Sequence, residues 1–436
     1  MERVRSERIH QGTRAETVAC HTTLRPPGSP LADGAESGPI GSQIASTRFS
    51  NGETIVGPML TAAVVGVGTP PGRREPGALG QGYQHAWGYR RSDGVTLVAC
   101  ADVEDERARR FGTTFSLASE RVYADHEALL EDHSPDLVSV CTPPESHERI
   151  IEACIAADVT AVHCEKPLAP TWGACQATAA DCAEQDVVLT VNHQRRFVIP
   201  IRRAKRLIAE GEVGRLKRVA FHARNLFDYG VHLFDLCGYV TDQAPVAWVD
   251  ATIEYEVENR FYGLHNENRG LAHWRYENGV TGVAATGSGF AAPARMELVG
   301  TEGRIQIEPT GGPALRVGDD GRWRRVRGWG DRFDGIDPRS IRGLARRVAR
   351  NLPWDRARRL APAGYTERGI VNLVEALRTD RDPVLSADQS LAATEVAFAC
   401  YASARRGERV SLPLDIEHNP LERMVAEGEL DPSSAD

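Results

Sequence analysis

The chain has 436 residues, with 60 acidic against 52 basic side chains and a formal net charge of −8. That length suits two domains better than one, and the acidic balance argues against nucleic acid as a bulk partner, because phosphate binding needs a basic surface. No run approaches 18 apolar residues, the first 25 residues lack an apolar signal core, and nine cysteines fall without a C-x-x-C pair, so a membrane span, export, a metal knuckle and a disulfide framework are not expected, and a cytoplasmic protein with reduced thiols fits.

Residues 1–58 are rich in Gly, Ser, Pro and Thr and hold no apolar period, so they read as a disordered extension. Met59 stands just before the first strand and is the expected true start, with a regulatory tail as the alternative. Short valine-rich runs follow at Ala62–Val67, Val95–Ala101, Leu137–Cys141, Thr160–Cys164 and Val187–Val191. They suit strands buried on both faces of a parallel sheet. Helical patterns between them include Ser146–Ala157 and Thr171–Glu184, each opening on a capping residue. This βα alternation predicts a doubly wound α/β domain over 59–193.

The rhythm then changes. A helix near Ile201–Glu210 leads into strands at Lys217–His222, Val246–Val257, Ala272–Tyr276, Thr281–Thr286 and Arg295–Leu298. Asn278-Gly279 is a strong hairpin signal, and Gly300–Gly303 reads as another turn. An antiparallel sheet in an α+β domain is expected over 194–414. Residues 322–359 carry 13 arginines against four aspartates; the helix near Ile341–Leu352 sets arginines opposite Ile341, Leu344, Ala345 and Val348. A solvated amphipathic face is the expectation, with an anionic ligand or a subunit contact as alternatives. A last apolar helix near Asp388–Ala404 should pack into the body, and the acidic tail 415–436 should fray.

The chemistry gathers at the ends of the predicted strands. Gly66 and Gly68 open the first βα turn, where glycine lets backbone approach a pyrophosphate at a helix N-terminus. The third glycine of that motif is replaced by Pro71; Gly82 supplies it if 11 residues are inserted. Asp102 ends the second strand, where an acid accepts from ribose hydroxyls and repels a 2′-phosphate, favouring NAD over NADP; a helix N-cap is the alternative. Thr142 and His147 follow the third run, at the edge where doubly wound sheets bind ligands, though His147 reads equally as a surface helix residue.

Glu165-Lys166-Pro167 follows the next strand. Only Lys166, Lys205 and Lys217 are lysine, against 49 arginines. An amine at this edge can exchange a proton with a substrate hydroxyl; a surface Lys–Glu pair is the alternative. Asp228, His232 and Asp235 stand at i, i+4 and i+7, one helical face. Histidine suits proton transfer near neutral pH, oriented by a carboxylate; the alternative is a capping Asp228 with a structurally paired His232.

With Gly66-Val67-Gly68, Glu165-Lys166-Pro167, Arg195-Arg196-Phe197, the D-x-G-x-H of Asp228–His232 and the closing Ser403–Gly407, the chain from Met59 to about Leu414 resembles the Gfo/Idh/MocA oxidoreductase family. The resemblance implies a Rossmann domain followed by a large open antiparallel sheet, and a dimer or tetramer built on that sheet. It implies Lys166, Asp228 and His232 as the catalytic set. Gly66, Gly68, Asp102, Thr142, His147 and Glu165 would surround NAD, with NADP less favoured and no metal. Gln194 stands where the family commonly has asparagine, beside the substrate. The glycine loop is expanded, and the segment between Lys217 and Asp228 is short. His265-Asn266-Glu267-Asn268 is expected to face the pocket in compensation, with an exposed polar edge as the alternative. The implied reaction is hydride transfer between the nicotinamide and a secondary alcohol of a sugar, cyclitol or polyol. An NAD-dependent glycosidase using transient oxidation and a non-catalytic nucleotide-binding sensor or scaffold are the rival readings.

Overall fold

A computed structural model describes residues 59–69, 80–288, 292, 294–309, 314–319, 321–326, 331–333, 335–337, 339–349 and 362–433. The disorder expected over 1–58 and most of the expanded glycine loop, 70–79, lie outside the described residues.

The valine-rich runs form a six-stranded parallel sheet in the order β3-β2-β1-β4-β5-β6. Its strands are β1 (Leu60–Val65), β2 (Val95–Ala101), β3 (Val122–Tyr123), β4 (Leu137–Val140), β5 (Ala161–Cys164) and β6 (Val188–Val191). β4 and β5 are buried at every position, which their mostly apolar runs permit, the polar Ser139 and His163 being hydrogen-bonded to His85 and Thr190. The helices between the strands are α1 (Gln81–Arg91), α2 (Asp105–Phe115), α3 (His126–His133), α4 (His147–Ala156) and α5 (Trp172–Glu184). Thr171 caps α5 as expected, accepting from the Ala174 amide. Ser146 does not cap α4; its hydroxyl turns back to the Pro143 carbonyl at 2.9 Å. Strand order reverses direction at β1 and β4, so their carboxyl ends open a crevice, the usual ligand position in such sheets.

After a one-turn helix at Gln194–Phe197, α6 (Ile199–Ala209) leads to β7 (Leu216–Ala223) and α7 (Gly230–Val240). Then come β8 (Val246–Glu254), the short hairpin β9 (Arg260–Phe261) and β10 (Leu264–His265), β11 (Arg269–Tyr276) and β12 (Thr281–Thr286). β13 (Ala294–Gly300), β14 (Arg304–Pro309), β15 (Leu315–Gly318) and β16 (Trp323–Arg325) complete most of the second sheet. Asn278-Gly279 joins β11 to β12, with Gly279 at φ 84°, and the Gly300–Gly303 turn joins β13 to β14. The nine-stranded order is β16-β15-β14-β13-β7-β12-β11-β8-β17, where β17 is Val410–Ser411. All its pairs are antiparallel except β7 with β12, so the sheet is mixed rather than purely antiparallel. One face is dry: Trp274 on β11 lies fully buried over Gly282 of β12, where any Cβ would collide with the indole. The other face is open and exposes Leu271 and Val283.

Two C-terminal segments depart from expectation, the helix over Ile341–Ala349 and the tail. α8 (Ile341–Ala349) turns its apolar stripe outward: Ile341, Leu344 and Val348 are 73, 56 and 69 % exposed, while Arg342 reaches toward Asp331. The next helix, α9 (Tyr365–Arg378), returns to the first sheet and packs on α1, adding Ile370, Leu373 and Val374 to that apolar cluster. α10 (Ala387–Arg406) packs on β8 and α7 as expected. The tail does not fray. Asn419 caps α11 (Pro420–Ala426), Leu421 and Met424 are buried, the Leu414 carbonyl accepts from Trp172, and Arg405 pairs with Glu427 and Glu429.

Candidate active site

The crevice at the carboxyl edge of the first sheet holds a cavity of about 300 Å³, lined among others by Gly66, Gly68, Asp102, Thr142, Glu165 and Lys166. Gly66 and Gly68 have φ of +82° and +65°, a region that L side chains rarely adopt. A Cβ on Gly66 would lie 2.6 Å from Thr142 Cγ2, and one on Gly82 2.8 Å from Val67 Cα. Gly82 thus does what the third motif glycine does: it lets α1 press against the turn after β1. Asp102 Oδ2 accepts from the Gly68 amide at 3.1 Å and Oδ1 from the Glu104 amide at 3.0 Å. A carboxylate keeps further lone pairs for ribose hydroxyls. The Thr142 hydroxyl is buried with no hydrogen-bond partner among the described residues. Helix-opening glycines, an acid after β2 and an orphaned hydroxyl fit a dinucleotide.

A second cavity of about 560 Å³ adjoins the first, and Gln81, Glu165, Lys166 and Tyr262 line both. Lys166 Nζ donates to Asp228 Oδ1 at 2.6 Å and to the Asp228 carbonyl at 2.9 Å. Its side chain is 11 % exposed and that of Asp228 8 %. His232, from the first turn of α7, and Gln194 line the same cavity; His232 Nδ1 and Gln194 Oε1 are buried with no hydrogen-bond partner among the described residues. Burial first, then the charges of Arg195 and Lys166, hold the His232 pKa well below the ordinary histidine value. Burial raises the Glu165 pKa, but hydrogen bonds from His85 at 3.0 Å and Asn192 at 2.6 Å, with the Lys166 charge, bring it below the usual range.

The three residues expected to be catalytic come together, though with different pairings. Asp228 precedes α7 rather than lying on it, and its carboxylate holds Lys166 and Arg224. Asp235 is buried in a bidentate pair with Arg196, tying α7 to the turn after β6. The acid–imidazole–acid stripe is therefore two separate ion pairs with a neutral histidine between them.

Two expected site residues stand back from the cavities. His147 is fully buried behind the crevice. Its Nε2 meets the Thr142 carbonyl at 2.8 Å and its Nδ1 the carbonyls of Pro167 and Leu168, so it clamps the two loops. His265 contacts Tyr255, Arg260 and the α11 residue Glu422 instead of the pocket. Its neighbours act from behind: Asn266 accepts from the Asp228 amide at 2.9 Å, and Glu267 from the Leu226 amide at 2.7 Å. What reaches the pocket is the hairpin tip, with Phe261 and Tyr262 lining it and Lys166 Nζ lying 5.5 Å from the Tyr262 ring. Tyr262 at φ 52° and Gly263 at φ 82° make that tight turn, a signal legible as Tyr-Gly between the short pairs Arg260-Phe261 and Leu264-His265. Arg224 and Arg295 also line the cavity, and no motif announced them.

Comparison with known proteins agrees with this geometry. Residues 60–193 match the model of the oxidoreductase family with NAD-binding Rossmann fold, and residues 222–306 the Gfo/Idh/MocA C-terminal domain. The chain is 26 % identical to D-apiose dehydrogenase of Paraburkholderia graminis, over 77 % of this chain and 88 % of that protein. It is 24 % identical to myo-inositol 2-dehydrogenase of Thermotoga maritima, over 51 % and 70 %. An oxidoreductase from Agrobacterium radiobacter in complex with NAD+, L-tartaric acid and magnesium superposes with a TM-score of 0.62 at 19 % identity, over 81 % of this chain and 98 % of that one, a likeness of fold. The chain belongs to the Gfo/Idh/MocA family of NAD-binding oxidoreductases.

Proposed function

We propose that this protein is an NAD-dependent dehydrogenase acting on a secondary alcohol of a sugar, cyclitol or related polyol. The observation that carries this reading is the shared wall: Glu165 and Lys166 border both the dinucleotide crevice and the cavity that holds Asp228 and His232. The named relatives, which act on apiose and inositol, support the substrate class. Gly66, Gly68, Gly82, Asp102 and Thr142 would hold the dinucleotide, and Asp102 favours NAD over NADP. The nicotinamide, when bound, supplies the hydride acceptor or donor.

The protein's own groups handle the proton. An ammonium has three donors; two of those on Lys166 bind Asp228, and the third is available to the reacting oxygen. That bond stabilises an alkoxide during oxidation and polarises a carbonyl during reduction. His232, kept neutral by burial, accepts the hydroxyl proton, and Gln194 Oε1 accepts from a neighbouring hydroxyl. Leu271 and Val283 on the open sheet face and the outward stripe of α8 support assembly into a homo-oligomer, a dimer or tetramer.

NADH absorbance is followed on a polyol panel. The wild type accumulates NADH, and Lys166→Met lowers kcat by roughly 10²- to 10³-fold, the range for losing one donor to a developing oxyanion. Unchanged turnover in Lys166→Met would sink the assignment; sugar release without net NADH would favour the transient-oxidation glycosidase.

A further inference from the structure

A buried chain of hydrogen bonds ends at the wall between the two cavities. His85 and Tyr89 lie one turn apart on α1, Ser139 on β4, Glu165 after β5 and Asn192 after β6. Tyr89, Ser139, His85 and Asn192 are all fully buried. The Tyr89 hydroxyl meets Ser139 Oγ at 2.8 Å, Ser139 Oγ meets His85 Nδ1 at 3.0 Å, and His85 Nε2 meets Glu165 Oε1 at 3.0 Å. Asn192 Nδ2 donates to the same carboxylate oxygen at 2.6 Å. Among the described residues both donors to this carboxylate reach Oε1, which leaves Oε2 for the cavities that Glu165 lines.

One direction of donation satisfies every group. Burial pushes the Tyr89 pKa up, so the phenol keeps its proton. Among the described residues Ser139 Oγ is the acceptor for that proton. Ser139 then donates to His85 Nδ1, and a neutral imidazole donates from Nε2 to Glu165. In the reverse arrangement a charged His85 donates to Ser139 and Ser139 to Tyr89, which strands the phenol proton in a dry layer. His163 packs on His85 with ring centres 4.9 Å apart, and burial first, then His85, brings its pKa down to about 3, so it adds no charge. Lys166 is held by Asp228. Glu165 thus receives a donor from behind without a countercharge.

We propose that Tyr89, Ser139 and His85 are positioning residues that hold Glu165 as a carboxylate with Oε2 turned to the crevice, and that this charge makes the protein bind NAD+ in preference to NADH. The nicotinamide ring is positive when oxidised and neutral when reduced, while the rest of the dinucleotide is common to both forms. A fixed carboxylate at the wall therefore raises the affinity of one form over the other. The form selected is the one that begins the oxidation of an alcohol. This inference rests on the dehydrogenase reading, which sets the nicotinamide at the wall where hydride passes between the cavities.

The test measures Kd for NAD+ and for NADH by titration calorimetry on the full chain, at fixed pH and ionic strength, and reads the ratio Kd(NADH)/Kd(NAD+). Contacts to the shared part of the dinucleotide cancel in that ratio. Glu165→Gln should lower it by roughly 5- to 50-fold, the effect of one charge several ångströms away at an effective dielectric between those of protein and water. His85→Leu should lower it by about 3- to 10-fold, the worth of one hydrogen bond. His85→Gln, whose amide can accept from Ser139 and donate to Glu165, should restore most of it. Ser139→Ala deletes only a hydroxyl and should lower the ratio by about 2-fold or more, which repeats the test should His85→Leu fail to fold. Variants that weaken both cofactor forms alike, at an unchanged ratio, would make these residues merely structural and overturn the proposal; NADH formation on a polyol by the wild type would still leave the dehydrogenase standing. A shift in Glu165→Gln that His85→Leu and Ser139→Ala do not share would overturn the relay. If the wild type binds neither form, the proposal and the dehydrogenase reading fall together.

Discussion

Glu267 offers a test of how the turn that carries Asp228 is held. It is fully buried, accepts from the Leu226 amide and the Thr286 hydroxyl at 2.7 Å on one oxygen, and from the Tyr401 hydroxyl at 2.7 Å on the other. Burial raises its pKa to about 7, against the lowering effect of these donors. The folded state therefore binds a proton more tightly than the unfolded chain, whose carboxyl titrates near 4.5. Its stabilising contribution is present in full below pH 4.5 and is lost as pH rises through 7. Some 2.5 pK units at 1.36 kcal/mol each make the loss about 3 kcal/mol.

In Glu267→Gln the amide oxygen keeps Leu226 and Thr286, and the amide nitrogen meets Tyr401, whose hydroxyl turns to accept. No charge remains to be buried. Urea unfolding of both proteins in steps from pH 4.5 to 8.5, at constant slope m, isolates this one group in the difference between them. The two should lie within about 1 kcal/mol of each other at pH 4.5. The variant should gain steadily on the wild type and lead by about 3 kcal/mol near pH 8. A difference that stays flat across the range, or a variant less stable at pH 8, would refute the reasoning.

Gly82→Ala should destabilise by about 1–3 kcal/mol, as overpacking does, because its Cβ would stand 2.8 Å from Val67 Cα and 2.9 Å from the Val67 carbonyl oxygen. NAD affinity by titration calorimetry should fall with it; an unchanged melting temperature and Kd would mean that α1 does not close on the turn. For oxidation, His232 must be neutral, and its pKa lies well below 6.5. The acid limb of kcat/KM should therefore fall below pH 6.5, and Arg195→Met, which removes the largest charge effect on that ring, should move the limb upward. A limb above 6.5 that ignores Arg195→Met would remove His232 as the base.

The first sheet was readable because its strands are buried on both faces, so each appears as a continuous apolar run bounded by turn residues. Val95–Ala101 and Thr281–Thr286 agree with the structure to the residue. The parallel pairing of β7 with β12 was hidden, since register between strands some 60 residues apart leaves no local trace. The tail looked solvated by composition. Its acids are used: Glu422 holds the His265 amide, and Glu427 and Glu429 hold Arg405. Helical periodicity on α8 located its apolar stripe correctly but could not say which way the stripe would turn.

Site residues divide along the same line. Gly66, Gly68, Lys166 and His232 sit in local motifs, so spacing singled them out, and each lines one of the two cavities. The wrong partners were assigned wherever the partner is distant in sequence: Asp228 takes Lys166 from 62 positions away, and His147 takes carbonyls rather than a ligand. Lysine scarcity shows where such inference stops. Lys205 is as rare as Lys166, yet it donates to the Tyr239 carbonyl at the end of α7 and pairs with Asp242, a structural post. Lys217 is exposed. Rarity therefore selects nothing by itself. What distinguishes Lys166 is an anchored amine with, among the described residues, one donor to spare at the wall between two cavities.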